Sequence, residues 1–231
     1  MGKYFGTDGF RGEANEVLTV EHAFKVGRYI GWYYGQEHRA RVVIGKDTRR
    51  SSYMFEYSLV AGLTASGADV CLLHVTTTPS VSYVTRTEDF DCGIMISASH
   101  NPFYDNGIKL INHKGHKMDA DVEAKIEAYI DGEIPELPLA KKDQIGRTTD
   151  YSAGRNRYIG YLISLATRSF EGKKVGLDCA NGSSFMIAKS VFDALGTKTY
   201  VVGMSRMVPT SIWDADRCIA VDENGMEVHE D

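Results

Sequence analysis

Hydrophobic positions along the chain follow two patterns, short continuous runs and stripes at helical spacing. Runs of the first kind are typical of buried strands and lie at residues 41–45, 69–75, 94–96 and 108–111. Between them, apolar residues recur every three or four positions, which predicts helices. Because strand, helix and strand follow each other at this spacing, we expect a parallel sheet with right-handed crossovers.

Three helices are predicted, two of them with their packing faces. Thr19 is placed to cap a helix that runs to about Tyr34 and ends near Gly35. A helix over 120–130 directs Val122, Ile126 and Ile130 inward. The helix between the first two strands has a predicted packing face that consists of Met54, Tyr57, Val60, Ala61 and Leu63.

A change of pattern at residues 131–150 predicts a domain boundary. Glycine, proline and charged residues replace the apolar periodicity there. Beyond it, residues 151–166 predict a helix, 173–178 a strand, 181–195 a helix and 197–202 another strand. We therefore expect two domains, at residues 1–150 and 151–231, of which the second begins a new βαβ unit.

Composition places the chain among globular proteins and excludes several functions. Of its 231 residues, 43% are hydrophobic and 25% are charged, with a formal net charge of −5 and no basic stripe. We therefore expect no nucleic-acid partner. The first twenty residues hold charged side chains instead of an apolar signal sequence, and no apolar run approaches membrane-spanning length. These features predict a cytoplasmic protein without a membrane partner.

The strongest chemical candidate is Ser99, which follows the apolar run at 94–96 within the stretch Ser-Ala-Ser-His-Asn-Pro. Neighbouring His100 and the later Lys109 offer hydrogen bonds and positive charge to an anionic group, so a phosphorylated Ser99 suits them. The same residue types also form ordinary turns, and that alternative stays open on local chemistry alone. A serine-hydrolase site is disfavoured because no Gly-x-Ser-x-Gly elbow surrounds Ser99.

Two other loops offer supporting groups. The stretch 6–12, Gly-Thr-Asp-Gly-Phe-Arg-Gly, lets its backbone approach a ligand closely and presents Arg11, whose planar fork suits phosphate oxygens. The loop Asp47-Thr48-Arg49 follows the first strand run, and we expect it to support the site, with an ordinary helix N-cap as the alternative. Loops that follow parallel strands meet at the carboxyl edge of a sheet, so we expect the loops after Gly45, Val75 and Ile96 to share one site.

These motifs carry a resemblance to a known family. The stretch 96–109, Ile-Ser-Ala-Ser-His-Asn-Pro-Phe-Tyr-Asp-Asn-Gly-Ile-Lys, resembles the active-site serine loop of the α-D-phosphohexomutase superfamily. Together with residues 6–12, it is most similar to the phosphoglucosamine mutase branch. The resemblance extends from the amino terminus to about Gly203 and resumes from Asp214.

The resemblance implies a fold, a reaction and a set of site residues. The expected fold is α/β, with a mixed, mostly parallel sheet and flanking helices in a first phosphohexomutase domain, followed by a truncated second α/β domain. Ser99 would carry the phosphoryl group, and Arg11, His100 and Lys109 would stabilise charge or handle protons. Ser99, Asp214 and Asp216 would share Mg²⁺, and the substrate would be a hexosamine phosphate, glucosamine 6-phosphate or glucosamine 1-phosphate.

The chain departs from the family pattern at the metal loop, which has the form Asp-Gly-Asp-Ala-Asp-Arg. Ile212 and Trp213 stand in place of its first Asp and Gly, and the preceding stretch is shorter than in the family. The chain also ends without the family's later sugar-recognition and phosphate-binding motifs. We therefore expect impaired activity. A catalytically inactive binding module and a relative that acts on mannose or glucose phosphates remain alternatives.

Overall fold

The apolar runs of the first part of the chain come together in one seven-stranded sheet. The computed structural model describes residues 2–203 and the two short strands Ile212–Asp214 and Ile219–Val221. The chain forms two compact units, Met1–Arg155 and Asn156–Asp231. The predicted boundary at residue 150 lies a few residues before this division.

The sheet of the first unit is mixed. Its strands are β1 (Phe5–Gly6), β2 (Gly9–Glu13), β3 (Arg41–Lys46), β4 (Asp69–Val75), β5 (Cys92–Ile96), β6 (Asp105–Asn112) and β7 (Thr148–Asp150). Their order is β1-β2-β6-β5-β3-β4-β7. Strands β5, β3, β4 and β7 pair in parallel, whereas β1, β2, β6 and β5 pair successively antiparallel. Only β1 and β6 of this sheet therefore run against the common direction, so the expected mixed, mostly parallel α/β sheet is confirmed.

Helices cover both faces of this sheet. They are α1 (Val20–Tyr34), α2 (Arg50–Ala65), α3 (Thr78–Thr87) and α4 (Ala120–Ile130). Successive strand side chains point to opposite faces, so Val42 and Ile44 pack with α1, α2 and α4, while Val43 packs with α3. The two apolar layers hold the strand ends, and therefore the loops that follow them, in a fixed arrangement.

The boundaries of α1 and the buried face of α4 confirm the sequence predictions. The Thr19 hydroxyl accepts a hydrogen bond from the His22 N–H at 3.2 Å, and Nδ1 of the His22 ring accepts one from the Thr19 N–H at 3.2 Å. This reciprocal pair satisfies amide groups that the first helical turn leaves unbonded. In α4, Val122, Ile126 and Ile130 are all buried, as predicted.

The predicted packing face of α2 is correct at Leu63 and, with partial burial against the core, at Met54 and Val60, but it is wrong at Tyr57 and Ala61. Tyr57 is 66% exposed, and the buried residues of α2 are Ser52, Phe55, Glu56, Leu59, Gly62 and Leu63. These positions do recur at helical spacing. Polar Ser52 and Glu56 interrupt the apolar pattern of this face. They can be buried because other parts of the chain supply their hydrogen-bond and ion-pair partners. Apolar periodicity alone therefore selected a face that overlaps the buried one only in part.

Residues 131–150 lack apolar periodicity but are attached to the first unit by hydrogen bonds. The Ala140 N–H donates to the Ala65 carbonyl at 2.8 Å, and the Gly146 N–H donates to the Thr64 carbonyl at 3.0 Å. Buried Arg28 donates to the Leu137 carbonyl, and β7 extends the sheet beside β4. In addition to Leu137, which is buried in the core, these backbone groups hold the segment, and a hydrophobic pattern does not register them.

The second unit contains the predicted βαβ arrangement. After α5 (Ser152–Ser164), β8 (Lys174–Asp178) and β9 (Lys198–Val202) pair in parallel, and α6 (Phe185–Ala194) connects them. The strands β10 (Ile212–Asp214) and β11 (Ile219–Val221) form a separate antiparallel pair. Throughout the described residues, no helix is both long and apolar enough to cross a membrane.

Candidate functional site

The serine loop, defined here as residues 97–104, joins β5 to β6 at the edge of the sheet where β3 and β4 also end. In the strand register, Lys46 of β3 pairs with Ile96 of β5 and with Val75 of β4. The Asp47 N–H donates to the Ile96 carbonyl at 2.9 Å, and the Thr76 N–H donates to the Lys46 carbonyl at 3.0 Å. The predicted common edge of the three loops is therefore confirmed.

Ser99 lies exposed in this loop in an unusual backbone conformation. Its φ angle of 60° falls in the left-handed region, which residues other than glycine adopt rarely. Its N–H donates to the Ser97 hydroxyl at 3.0 Å, and its own hydroxyl lies 3.4 Å from Nδ1 of the exposed His100. Such conformations persist only where surrounding contacts hold them, and they are common at functional sites.

Arg11 and Lys109 lie on neighbouring strands beside the serine loop. Arg11 pairs with Gly107 across β2 and β6, and directly paired side chains in antiparallel strands share a face. Lys109 is two residues after Gly107 and therefore lies on the same face. The Ser97 N–H donates to the Gly107 carbonyl at 2.8 Å, which joins the serine loop to this pair of cations.

Gly107 has no room for a side chain at this junction. A Cβ atom there would lie 2.8 Å from the Ser97 carbonyl oxygen and 2.9 Å from Cγ of Arg11. A second close approach occurs at Gly9, whose φ is 88° and whose added Cβ would lie 2.4 Å from the Ile108 carbonyl oxygen. The glycines therefore bring the β1–β2 hairpin and the serine loop against β6.

The Arg11 guanidinium keeps hydrogen-bonding capacity. One of its terminal nitrogens lies 3.4 Å from an Asp8 carboxylate oxygen, and its buried Nε has no hydrogen-bond partner among the described residues. The side chain is 20% exposed, so its terminal nitrogens are placed to bind an anionic oxygen that enters from solvent.

Half-buried Lys109 has a lowered pKa. Burial is the larger cause, and the positive charge of Arg11 adds to it, while Asp8 and Asp47 oppose the shift. Both main causes disfavour the ammonium form. The negative charge of an incoming phosphate would oppose them by favouring the ammonium form.

We expect Lys109→Met to make the chain more stable than the wild type at pH 7, with an advantage that shrinks towards pH 10.5. The unfolded chain keeps the ordinary lysine pKa of 10.5, so between the lowered folded value and 10.5 it binds more protons than the folded chain. Wild-type stability therefore gains with pH across this window, and methionine removes that gain. Urea unfolding across the pH range tests this, with exposed Lys125→Met as the control for charge removal. A stability difference that does not vary with pH would contradict it.

The structure thus brings Ser99, His100, Arg11 and Lys109 to one edge of the first unit. The other two predicted site residues lie elsewhere in the chain. Asp214 is the last residue of β10, where its backbone pairs with Ile219, whereas its side chain and the whole of Asp216 lie outside the described residues. Within the described part, no group of three or more His, Cys, Asp or Glu side chains could hold a metal ion.

Ile212 and Trp213 stand where the resemblance leads us to expect the first Asp and Gly of a metal loop, and they belong to the backbone pairing of β10 with β11. The carboxylates that remain, Asp214 and Asp216, are oxygen donors of the kind that Mg²⁺ accepts. They fit magnesium in kind, with one donor fewer than the loop that the resemblance predicts.

Two more residues contribute to the site: Asn106, which the sequence analysis did not single out, and Arg49, whose loop it expected to support the site. Asn106 is fully buried and donates to the hydroxyls of Ser51 and Ser52 at 2.9 and 3.0 Å, which ties the start of β6 to α2. Arg49 contacts the serine loop itself. The only sequence signal for Arg49 was its place in a loop after a core strand, next to Asp47.

Comparison with known proteins identifies the family. Residues 2–136 match the family model described as phosphoglucomutase/phosphomannomutase, alpha/beta/alpha domain I. This match covers more than half of the chain and includes the serine loop, Arg11, Arg49 and Lys109. The chain belongs to the phosphoglucomutase/phosphomannomutase family.

Relatives of known name within this family are similar over most of the chain. A phosphoglucosamine mutase from Lachnoclostridium phytofermentans is 64% identical over 258 positions, which cover 100% of this chain and 58% of the relative. A phosphoglucosamine mutase from Staphylococcus aureus is 43% identical, and this alignment likewise covers 100% of this chain and 58% of the relative. The chain therefore spans somewhat more than half the length of these relatives.

The first of these alignments is longer than the chain. Its 258 positions exceed the 231 residues available, so the relative has residues within the aligned region that this chain lacks. This agrees with the expectation, from the family pattern, that the chain has lost residues.

Solved structures of the family have the same fold. A phosphoglucomutase/phosphomannomutase family protein from Burkholderia thailandensis superposes with a TM-score of 0.71 at 22% identity, covering 88% of this chain and 44% of that one. A putative phosphomannomutase from Thermus thermophilus gives a TM-score of 0.67 at 26% identity, covering 87% and 46%.

Proposed function

We propose that this chain carries the phosphoserine domain of a phosphoglucosamine mutase, which interconverts glucosamine 6-phosphate and glucosamine 1-phosphate. The observation that carries the proposal is exposed Ser99 on the serine loop, whose neighbouring strands present Arg11 and Lys109. The 64% identity to a protein named phosphoglucosamine mutase favours glucosamine over other hexoses. In this proposal, residues 1–150 form the first mutase domain and residues 151–231 part of the second.

The proposed chemistry is reversible phosphoryl transfer between Ser99 and a glucosamine bisphosphate. The Ser99 hydroxyl oxygen bonds to phosphorus as the bond from phosphorus to the sugar oxygen breaks, and the proton passes from the serine hydroxyl to the sugar oxygen. Catalysis of such a step is largely positioning and charge stabilisation. Arg11 would stabilise the phosphoryl oxygens through its uncommitted donors, while His100 and Lys109 would stabilise charge or move protons.

Asp214 and Asp216 are the proposed magnesium ligands on the second unit. When bound, Mg²⁺ would neutralise negative charge on a transferring phosphoryl group. Because Ile212 supplies no oxygen donor where the family has an Asp, we expect magnesium affinity to be weaker than in a complete loop.

The decisive experiment measures phosphoryl transfer to the chain itself. The purified chain is incubated with a glucosamine bisphosphate and Mg²⁺, and its intact mass is followed with time. We expect the gain of one phosphoryl group, mapped to Ser99 by peptide fragmentation. A phosphoryl group on Ser97, or none, would contradict the proposal, and the absence of transfer would favour an inactive binding module.

The same preparation is expected to show impaired turnover of glucosamine 6-phosphate. The chain spans 58% of the length of the Lachnoclostridium relative, so it presents only part of that protein's surface for holding a substrate. Orientation contributes on the order of 7 to 11 kcal/mol to such reactions, and losing a third of it slows the rate by roughly two orders of magnitude. A coupled assay for glucosamine 1-phosphate, with a full-length relative beside it, measures this loss. Equal turnover by the two proteins would refute it.

A further inference from the structure

Arg49 makes more contacts with the serine loop than any of the predicted site residues does in the described structure. One terminal nitrogen, Nη2, donates to the carbonyls of Ser99 at 3.0 Å and Asn101 at 2.8 Å. The other, Nη1, donates to the carbonyls of Pro102 and, at 3.0 Å, Asp105. Four carbonyls spread over seven residues therefore converge on one side chain.

Asp47 fixes the orientation of this side chain. The Arg49 Nε–H donates to one Asp47 carboxylate oxygen at 2.9 Å. The other carboxylate oxygen accepts the Arg49 backbone N–H at 3.1 Å and the Ser52 hydroxyl at 2.6 Å. Both side chains of the ion pair are about nine-tenths buried, so water competes little for these bonds.

The contacts use the whole donor capacity of Arg49. A guanidinium has five N–H donors, and the five contacts with Asp47 and the four carbonyls account for all of them. Arg49 therefore has no donor left for a phosphate in this arrangement, in contrast to Arg11, whose Nε is without a partner among the described residues.

The backbone of Ser99 needs such support. Its left-handed conformation is unfavourable for a residue with a side chain. Contacts hold it on both sides, since the Ser99 N–H donates to Ser97 and its carbonyl accepts from Arg49. If the carbonyl contacts were lost, Ser99 would be free to relax to an ordinary conformation, and its hydroxyl would change direction.

We propose that Arg49, held by Asp47, is a positioning residue that fixes the serine loop so that the Ser99 hydroxyl is aligned for phosphoryl transfer. The proposal rests on the proposed function for the transfer step. It assigns Arg49 an action through the loop backbone and no contact with the phosphoryl group. The lysine side chain keeps the charge but not the planar fork, so Arg49→Lys separates geometry from charge.

The test compares Arg49→Lys with the wild-type 231-residue chain in phosphoryl loading from a glucosamine bisphosphate. We expect the maximal loading rate to fall about 100-fold, because misplacement of a reacting group by about 1 Å costs a factor of this size. The bisphosphate concentration for half-maximal rate should stay unchanged, since Arg49 does not bind the donor. Partial unfolding would instead lower the fraction of chain that loads and leave the rate of the remainder unaltered.

Arg39→Lys is the matched control. Arg39 also donates to two backbone carbonyls, of Asp143 at 2.8 Å and Ile145 at 3.2 Å, and lies beside a carboxylate, that of Asp69. Its partners are not part of the serine loop, so its replacement should leave the loading rate unchanged. A maximal loading rate of Arg49→Lys equal to that of the wild type would overturn the proposal. So would a higher half-saturating concentration at an unchanged maximal rate, which would make Arg49 a ligand-binding residue.

A second measurement decides the proposal even if the wild type takes up no phosphoryl group and the proposed function fails. Amide hydrogen exchange of Ser99 and Asn101 is measured in the unphosphorylated chain. We expect faster exchange in Arg49→Lys and wild-type exchange in Arg39→Lys. Equal protection in all three proteins would show that Arg49 does not hold the loop.

Discussion

The Ser99→Ala variant is expected to take up no phosphoryl group from a glucosamine bisphosphate, a complete loss of the signal that the wild type shows. Alanine removes the only exposed hydroxyl of the Ser-Ala-Ser-His stretch, because Ser97 is only 6% exposed. The Ser97 hydroxyl also accepts the Ser99 N–H, so it is held within the loop. Intact-mass analysis over the wild-type time course measures the result.

Ser97→Ala is the matched control for this loss. It deletes a hydroxyl from the same loop and leaves the Ser99 hydroxyl in place, but the Ser99 N–H loses its acceptor. A hydrogen bond of this kind contributes about 1 kcal/mol, so loading should slow by roughly tenfold or less and remain mapped to Ser99. Loading of Ser99→Ala at any rate near that of the wild type would refute Ser99 as the phosphoryl carrier.

The Lys46→Met variant is expected to lose about 3 to 5 kcal/mol of unfolding free energy. Lys46, the last residue of β3, forms an ion pair with Glu56 of α2, and the two residues are 2% and 1% exposed. The Lys46 ammonium also lies 4.0 Å from the centre of the Tyr53 ring. Methionine would leave the Glu56 carboxylate buried without its counter-charge, and one of its oxygens already has no partner among the described residues. Urea unfolding measures the loss.

Two comparisons make this result specific to the buried pair. The double variant Lys46→Met with Glu56→Leu removes both charges, and we expect it to recover most or all of the lost stability. Lys3→Met breaks the ion pair between Lys3 and Asp131. The Lys3 side chain is 59% exposed, so this replacement should have a much smaller effect on the unfolding free energy. A loss in the double variant as large as in Lys46→Met would show that the cost lies in packing and not in the unpaired charge.

The consequences of Lys46→Met should reach the site, because Lys46 directly precedes Asp47. Its backbone pairs with Ile96, the residue before the serine loop. The Lys46–Glu56 pair thus joins α2 to the strand end from which Asp47 and Arg49 extend. The Lys46–Glu56 pair is therefore connected to the serine loop through the strand end and α2, and not through contact with an anion.

Much of the first unit was predictable from the sequence because its signals are local. Thr19 caps α1 through a residue three positions away, and Val122, Ile126 and Ile130 of α4 lie on one helical face. The strand runs at 69–75 and 94–96 end where β4 and β5 end. Spacing along the chain determines such features, since the hydrogen bonds of a helix turn and the alternation of a strand involve near neighbours.

The site was predictable in part for the same reason. Ser99, His100 and Lys109 lie close together in the sequence, and the loop after a buried strand at the carboxyl edge of a sheet is a common binding position. Arg11 was predicted as a site residue from its glycine-rich stretch. Its position next to Lys109, however, depends on the antiparallel pairing of β2 with β6. Nothing in the local sequence states that pairing.

What the amino-acid sequence by itself determined was the set of strands and helices, the serine loop with its chemistry, and the resemblance to a family. What only the tertiary structure decided was which polar groups are buried together. The buried face of α2 includes Glu56 because Lys46 lies opposite, and Arg49 serves the serine loop through carbonyls 50 to 56 residues away. Burial of a charge is favourable only when distant residues supply its partners, and those partners are defined only once the chain has folded.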